Sequence, residues 1–140
     1  MTKHFSLLLG FLLLGSPILL AQADVLLGEW INEKKDARIK IYKLGNIYNG
    51  RITWGEGENS KDVKNLDPKL RSRELVGSSI LIGFTYSGDN TWVDGTIYDP
   101  REGKTYSCKI TLKNKNTISI RGFVGISMFG RSEEWSRYQP

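Results

Sequence analysis

Gly28-Glu29-Trp30 opens the first predicted strand, and the last predicted strand contains Glu133-Glu134-Trp135-Ser136-Arg137. A Gly-x-Trp at the start of one strand and a Trp-x-Arg in another bring an indole and a guanidinium together where a small antiparallel barrel closes. We therefore expect Trp30, Trp135 and Arg137 to join the two ends of the chain. These motifs predict a barrel but name neither a ligand nor a reaction.

Between the two motifs, apolar and polar residues alternate with a period of two, which is typical of strands with one buried face. Ala37, Ile39 and Ile41 alternate with polar neighbours, and residues 106 to 112 do the same. Counted with the strands that carry the two motifs, about eight such segments follow one another, separated by turn residues. The pattern predicts an all-β fold, a small antiparallel up-and-down β-barrel of about eight strands. Such a barrel contains packed side chains or one small ligand.

Residues 1 to 23 have the pattern of a secretory signal peptide. Lys3 precedes an apolar run from Phe5 to Leu20, and Ala21-Gln22-Ala23 forms a small-residue cleavage site. The run is shorter than the roughly 20 residues that span a bilayer, so we expect no stable membrane insertion after cleavage. We predict cleavage after Ala23, a single β-barrel domain over residues 24 to 140, and a periplasmic or secreted location.

The charge pattern favours a soluble surface. The formal net charge is +5, but basic and acidic residues are interspersed, whereas nucleic-acid binding would require clustered Lys and Arg. We expect no nucleic-acid partner, a weak preference for anionic envelope components, and a monomer. Cys108 is the only cysteine and excludes an internal disulfide. Cys108 lies on the apolar side of the alternating run from 106 to 112, which predicts a buried thiol. For Trp92, the alternation leaves open whether the side chain faces inward or outward.

The longest connection runs from Gly55 to Arg73. Within it, Asp67-Pro68 is a helix start, with Asp as N-cap and Pro at the first helical position, and predicts one short helical turn over Lys69 to Arg73. A connection of this length in a small domain is usually a lid, a binding loop or a compact Ω-loop. We expect functional residues there.

Three blocks of sequence carry a family resemblance. They are Lys61-Asp62-Val63-Lys64-Asn65-Leu66-Asp67-Pro68-Lys69-Leu70-Arg71-Ser72-Arg73, then Gly95-Thr96-Ile97-Tyr98-Asp99-Pro100-Arg101-Glu102-Gly103-Lys104-Thr105-Tyr106, then Arg121-Gly122-Phe123-Val124-Gly125-Ile126-Ser127-Met128-Phe129-Gly130-Arg131. Together they resemble the bacterial domain of unknown function 2147 family. The resemblance implies a small exported protein with a lipocalin-like barrel related to the calycins, in which Trp30 and Arg137 match the paired Trp and Arg. Leu66 departs from the Pro that is common at that position.

Catalytic motifs are scarce. The predicted mature chain has no His, which excludes imidazole chemistry. Asp62, Asp67, Asp94 and Asp99 could supply paired carboxylates, but capping and turn roles account for Asp67 and Asp99. We therefore expect a protein that is not an enzyme and has no cofactor or metal, with a His-independent hydrolase as the less favoured alternative.

Binding residues are sought among loop and mouth positions. Arg71, Arg73 and Arg121 are the most suggestive charges, since Arg suits a carboxylate or phosphate. If Arg121 points inward, a salt bridge to Asp62 or Asp94 is favoured over a ligand because an unpaired buried guanidinium is costly. The candidate ligand-binding residues are Asp62, Asn65, Arg71, Tyr98, Tyr106 and Arg121.

Two functional hypotheses remain at this stage. The first is a binding module for a small anionic or amphipathic envelope ligand. The alternative is a structural or protein-interaction envelope protein with a filled barrel. Space left by Gly50, Gly77 and Gly95 would favour a cavity, and large inward residues would oppose it. The apolar loop from Gly125 to Gly130 either contacts a partner or membrane or packs under the barrel end.

Overall fold

The structure is a computed structural model that describes residues 17–57, 60–126 and 128–140. The first element is α1 (Pro17–Asp24). It holds the end of the predicted signal peptide, whereas residues 1 to 16 lie outside the described residues. Among the helices described, none combines the length and the apolar character needed to cross a bilayer.

Eight antiparallel strands form a closed barrel in which each strand pairs with its neighbours in sequence and the last pairs with the first. This confirms the predicted all-β, up-and-down barrel. The strands are β1 (Gly28–Ile31), β2 (Ala37–Leu44), β3 (Ile47–Gly55), β4 (Ser79–Gly88), β5 (Thr91–Asp99), β6 (Lys104–Asn114), β7 (Thr117–Phe123) and β8 (Gly130–Arg137).

The two ends of the barrel differ. At one, which we call the closed end, β2–β3, β4–β5 and β6–β7 are each joined by two residues. Asp89 and Asn90 both have positive φ, as a type I′ hairpin turn requires. At the other, the open end, the connections are longer, and the β3–β4 loop comprises residues 56 to 78. The open end is therefore where loops can form a site.

The β3–β4 loop contains the short helical element that the sequence predicts. It is a 3-10 turn over Pro68–Leu70. This turn is wound more tightly than an α-helix and begins one residue before the predicted span of Lys69 to Arg73. The Asp67 side chain caps it by accepting a hydrogen bond from the Lys69 amide at 3.0 Å. The turn ends where the chain returns toward β4, beside an isolated bridge between Lys61 and Glu74.

Bulges decide which residues face the interior. The pairing of β5 with β6 shifts register between Trp92 and Gly95, and Asp94 has a φ of 66°. The extra residue lets Trp92 and Ile97 face inward on the same strand, although they lie an odd number of residues apart. Trp92 is fully buried, which resolves the ambiguity that strict alternation leaves.

The strand ends meet around Trp30, which is fully buried on β1. The Arg137 guanidinium carbon lies 4.2 Å from the centre of the Trp30 ring. Arg137 also donates to the carbonyls of Val25 at 2.7 Å, Leu27 at 3.1 Å and Lys115 at 3.0 Å. One side chain thus joins the N-terminal segment, the β6–β7 turn and β8, and Trp30 and Arg137 lie together as the sequence analysis expects.

The closed half of the barrel is filled. A side chain added at Gly95 would place its Cβ 2.5 Å from the Phe84 ring, and one at Gly50 would lie 2.9 Å from Leu81. These glycines make room for large neighbours and leave no empty space there. Cys108 is buried in the same wall, as its phase predicts.

Candidate functional site

A cavity of about 960 Å³ occupies the open half of the barrel. Its inner wall is apolar because it collects inward positions from six strands. These residues are Ile39, Ile52, Ile80, Ile97, Ile120 and Trp135. A cavity of this volume falls within the range of small-molecule binding sites, which are mostly apolar with a few polar groups.

Gly122 on β7 enlarges the cavity. It lines the cavity, and a Cβ built on it would have its nearest contacts 3.6 Å away, at Ile97 and Tyr106. A Cβ at Gly122 would therefore lie at ordinary van der Waals distance from its neighbours, whereas a Cβ at Gly95 would collide with the Phe84 ring. A larger residue at Gly122 would therefore project into the cavity without a backbone collision.

Charged residues surround the mouth. Acidic side chains outnumber basic ones among the lining residues, with Arg101 and Arg131 as the basic pair. The acidic residues are Asp36, Glu56, Glu74, Asp99, Glu102 and Glu133. The local charge is thus opposite in sign to the formal net charge of +5, and the mouth attracts cationic groups and disfavours anionic ones.

Hydrogen bonds orient several of these carboxylates. Arg101 binds Asp99 with two guanidinium nitrogens, each 3.1 Å from a carboxylate oxygen. Burial acts to raise the pKa of Asp99, but the hydrogen bonds and charge of Arg101 outweigh it and lower the pKa. Tyr106 donates to Glu102, and this hydrogen bond raises the pKa of Tyr106.

Glu133 lies deeper in the same wall. It accepts a hydrogen bond from Trp135 Nε1 at 2.5 Å. The Glu133 carboxylate thereby fixes the orientation of the Trp135 indole and is a polar group beside the apolar wall. The sequence offered a signal for this role, since Glu133 shares the inward phase of Trp135 two residues later, but Glu133 was absent from the predicted site.

Three of the six predicted binding residues form one cluster around Asp62. Asp62 is fully buried and accepts hydrogen bonds from Asn65 at 2.8 Å, from Arg73 at 2.9 Å and from the Tyr98 hydroxyl. Burial acts to raise the pKa of Asp62, but these three donors and the Arg73 charge outweigh it and lower the pKa. Burial and the bond to Asp62 raise the pKa of Tyr98 to about 12.

This cluster attaches the β3–β4 loop to the barrel wall. Asp62 and Arg73 lie on two facing arms of the loop, where the Asp62 amide donates to the Arg73 carbonyl at 3.1 Å, and Tyr98 belongs to β5. Only Tyr98 of this group also lines the cavity. The cluster therefore positions the wall of the mouth, and three neighbouring side chains donate to the Asp62 carboxylate.

The other predicted residues are not among the three side chains that donate to the Asp62 carboxylate. Arg71 donates to the Asn65 carbonyl at 2.8 Å and holds the loop backbone. Arg121 lies on β7 between two inward residues and binds Ser132 at 2.9 Å and the Met128 carbonyl at 3.2 Å. It therefore does not point inward, and the ion pair to Asp62 comes from Arg73. Tyr106 lines the cavity next to Glu102.

Metal binding has no obvious site in the part of the chain that the structure describes. No group of three or more His, Cys, Asp or Glu side chains there converges closely enough to hold an ion. The arrangement offers an apolar chamber with a polar, mainly acidic mouth. Such a chamber can enclose an apolar group and leave a polar one at the opening.

Comparisons with known proteins agree with this architecture. A solved structure described as a lipocalin-family protein, HP1028 from Helicobacter pylori, is similar with a TM-score of 0.76 and 19% identity, covering 81% of this chain and 83% of that chain. This likeness shows the fold. A redesigned β-barrel has a TM-score of 0.46 and 16% identity over 85% of this chain and 96% of that chain.

No curated protein matches the sequence. Residues 28–137 match the family of uncharacterized proteins conserved in bacteria known as DUF2147, which confirms the resemblance seen in the three sequence blocks. The chain belongs to the DUF2147 family and has a lipocalin-like barrel.

Proposed function

We propose that this protein is an exported binding module that takes up a small amphipathic molecule in the open half of its barrel. The observation that carries the proposal is the cavity of about 960 Å³ whose inner wall is apolar. Removing an apolar chain from water is favourable by about 0.8 kcal/mol per CH₂ group. The site therefore suits the chain of an amphiphile better than a fully polar metabolite.

The charge of the mouth refines the ligand class. The sequence suggested an anionic or amphipathic ligand, and the acidic excess among the lining residues supports the amphipathic one with a neutral or cationic head group. Glu56 and Asp36 line the mouth and have no cation within salt-bridge distance among the described residues. A sulfate or phosphate head would be repelled there.

We propose binding without catalysis. Within the described cavity wall, Asp99, Glu102 and Glu133 each accept a hydrogen bond from a neighbouring side chain, so each has a positioning partner. The alternative of a structural protein with a filled barrel finds support in the closed half, where Gly50 and Gly95 are covered by large side chains. The hollow open half favours the binding module.

The test uses displacement of a neutral fluorescent probe, N-phenyl-1-naphthylamine, from the purified protein. We expect dodecylamine and dodecanol to displace the probe more strongly than dodecyl sulfate. Gly122→Leu should fill the cavity and lower probe affinity at least about tenfold, since the probe loses apolar contact area. The matched control is Ser119→Leu, which adds the same side chain to the outer face of the same strand, since the neighbouring Ile118 and Ile120 are buried.

The outcomes separate the hypotheses. Equal probe binding by the parent and Gly122→Leu, with both proteins folded by circular dichroism, would refute a ligand in the cavity. A preference for dodecyl sulfate would refute the head-group assignment alone. Arg71→Ala should lower the stability of the β3–β4 loop without changing the probe affinity. The reason is that Arg71 binds the loop backbone and does not line the cavity.

A further inference from the structure

The inner face of β8 changes from polar to apolar between the mouth and the interior of the cavity. Arg131, Glu133 and Trp135 follow one another at every second position of the strand, and all three line the cavity. Side chains two residues apart on a strand share a face. Arg131 is exposed, Glu133 is half-buried and Trp135 is buried. Glu133 therefore stands at the boundary between the solvent and the apolar chamber.

The strand register places apolar side chains on two sides of Glu133. Ile120 lies directly opposite on β7, and Trp135 is the next inward residue on β8. Both side chains are buried and line the cavity. An alkyl chain attached to a group that binds Glu133 would thus contact the apolar wall from its first carbons onward.

One oxygen of the Glu133 carboxylate has no donor. Oε1 accepts the hydrogen bond from Trp135 Nε1 at 2.5 Å. Among the described residues, no other group donates to Glu133, and no Lys or Arg nitrogen lies within salt-bridge distance of it. A half-buried carboxylate loses part of its hydration, and a donor from a ligand would compensate for that loss. Oε2 is therefore available to a ligand.

The basic residues of the mouth have other surroundings. Arg101 binds Asp99 with two guanidinium nitrogens. The charge of Glu133 helps to raise the pKa of Arg101, although the two side chains form no ion pair. Arg131 lies one inward position closer to the mouth and is exposed, so solvent screens its charge. Neither guanidinium occupies the position beside Oε2.

We propose that Glu133 binds the head group of the ligand and that this head group is a primary ammonium. The assignment rests on the proposed function, since it gives one residue of the same cavity to the polar end of the amphiphile. A primary alkylammonium is charged at pH 7, like the side chain of Lys, and carries three donors. It would donate to Oε2 while its chain packs against Ile120 and Trp135. A charge-assisted hydrogen bond is about twice as strong as a neutral one, so an amine is preferred to an alcohol of equal chain length.

The test measures displacement of N-phenyl-1-naphthylamine by dodecylamine, dodecanol and dodecyltrimethylammonium. We expect the parent to bind dodecylamine at least about tenfold more tightly than dodecanol, a ratio that we call the amine preference. Dodecyltrimethylammonium has the same charge but no N–H donor, so it should bind more weakly than dodecylamine. Equal binding of dodecylamine and dodecanol, or of the two cations, would overturn the proposal.

Glu133→Gln tests the residue itself. It removes the charge but keeps an acceptor for Trp135 Nε1, so the orientation of the indole is retained. The variant should bind dodecylamine about tenfold more weakly and keep its affinity for dodecanol and for the probe within about twofold. A merely structural role of Glu133 would not change the amine preference. Loss of the probe together with the amine would show that Glu133 only supports the wall, and would overturn the head-group role.

The matched control is Glu134→Gln. Glu134 is the next residue on β8, is exposed on the outer face and lies opposite Ser119. Its substitution removes the same charge from the protein and should leave the amine preference unchanged. An equal loss of amine preference in both variants would assign the effect to net charge and overturn the role of Glu133.

Failure of this inference differs from failure of the proposed function. If the folded parent binds no probe, the cavity takes up no amphiphile, and both proposals are refuted. If the parent and Glu133→Gln bind the probe equally and share one amine preference, only the assignment of the head group to Glu133 is refuted.

Discussion

The junction between Trp30 and Arg137 allows a quantitative test of how the barrel closes. Trp30→Leu keeps an apolar side chain but loses part of the buried indole and its hydrogen bond to Leu26 at 3.0 Å. We expect a loss of about 2–3 kcal/mol in the free energy of unfolding. Arg137→Met keeps the apolar stem and loses three hydrogen bonds to backbone carbonyls. Its expected cost is also about 2–3 kcal/mol.

The two changes should not add. The guanidinium carbon lies 4.2 Å from the indole centre, and a cation over an aromatic face contributes about 0.5–2 kcal/mol. Once one partner is gone, that contribution cannot be lost again. The double variant should therefore lose about 1 kcal/mol less than the sum of the single variants.

The assay is urea unfolding followed by far-ultraviolet circular dichroism, which does not depend on the tryptophan that is changed. Arg137→Lys serves as a control, because it keeps a positive charge but cannot reach all three carbonyls. It should fall between the parent and Arg137→Met. Additivity within about 0.3 kcal/mol, or single variants as stable as the parent, would refute the closure argument.

Three further predictions concern buried groups. Burial raises the pKa of Cys108 to about 12, so a charged thiol reagent should react in urea but not with the native protein, and rapid native labelling would contradict the burial. The lowered pKa of Asp62 stabilises the fold above about pH 4, and this stabilisation is lost as the pH falls through the folded-state pKa. Asp62→Asn should therefore cost about 1–3 kcal/mol at pH 7, and its difference from the parent in urea titrations should shrink in acid, whereas a constant difference would exclude the linkage. Trp92 Nε1 has no acceptor among the described residues, whereas Trp135 Nε1 donates to Glu133. In urea unfolding, Trp92→Phe should therefore lower the free energy of unfolding by about 1–2 kcal/mol less than Trp135→Phe does. The reverse order would contradict this explanation.

The sequence was informative about the strands because one face of each is buried. The run containing Cys108 keeps its phase without interruption, so its direction could be read directly. Trp92 could not be placed, because the bulge at Asp94 depends on pairing with β6 and not on local alternation. Arg121 could have been placed outward, since Ile120 beside it faces the core.

The residues around Asp62 and the cavity mouth were harder to predict than the strands of the barrel. Asp62 meets Tyr98 across 36 positions of sequence, and only the folded β3–β4 loop brings them together. Gly103 shows the same dependence, because a Cβ there would lie 1.9 Å from the Lys64 carbonyl oxygen. The close approach of the Lys64 carbonyl in the β3–β4 loop thus requires a glycine in the β5–β6 turn. The periodicity of apolar residues carries no information about such a contact between loops. The acidic excess of the mouth likewise arises from residues on separate connections.

The unequal ends of the barrel have a consequence for how this protein can change over time. Arg137 and the two-residue turns lie at one end, while the cavity opens among longer connections at the other. Substitutions, insertions and deletions in the β7–β8 loop can thus accumulate with little effect on thermal tolerance. Under the proposed function, relatives of this chain can diverge in the ligands that they bind while retaining one scaffold, and a library randomised only at the open end should yield altered specificities from stably folded members.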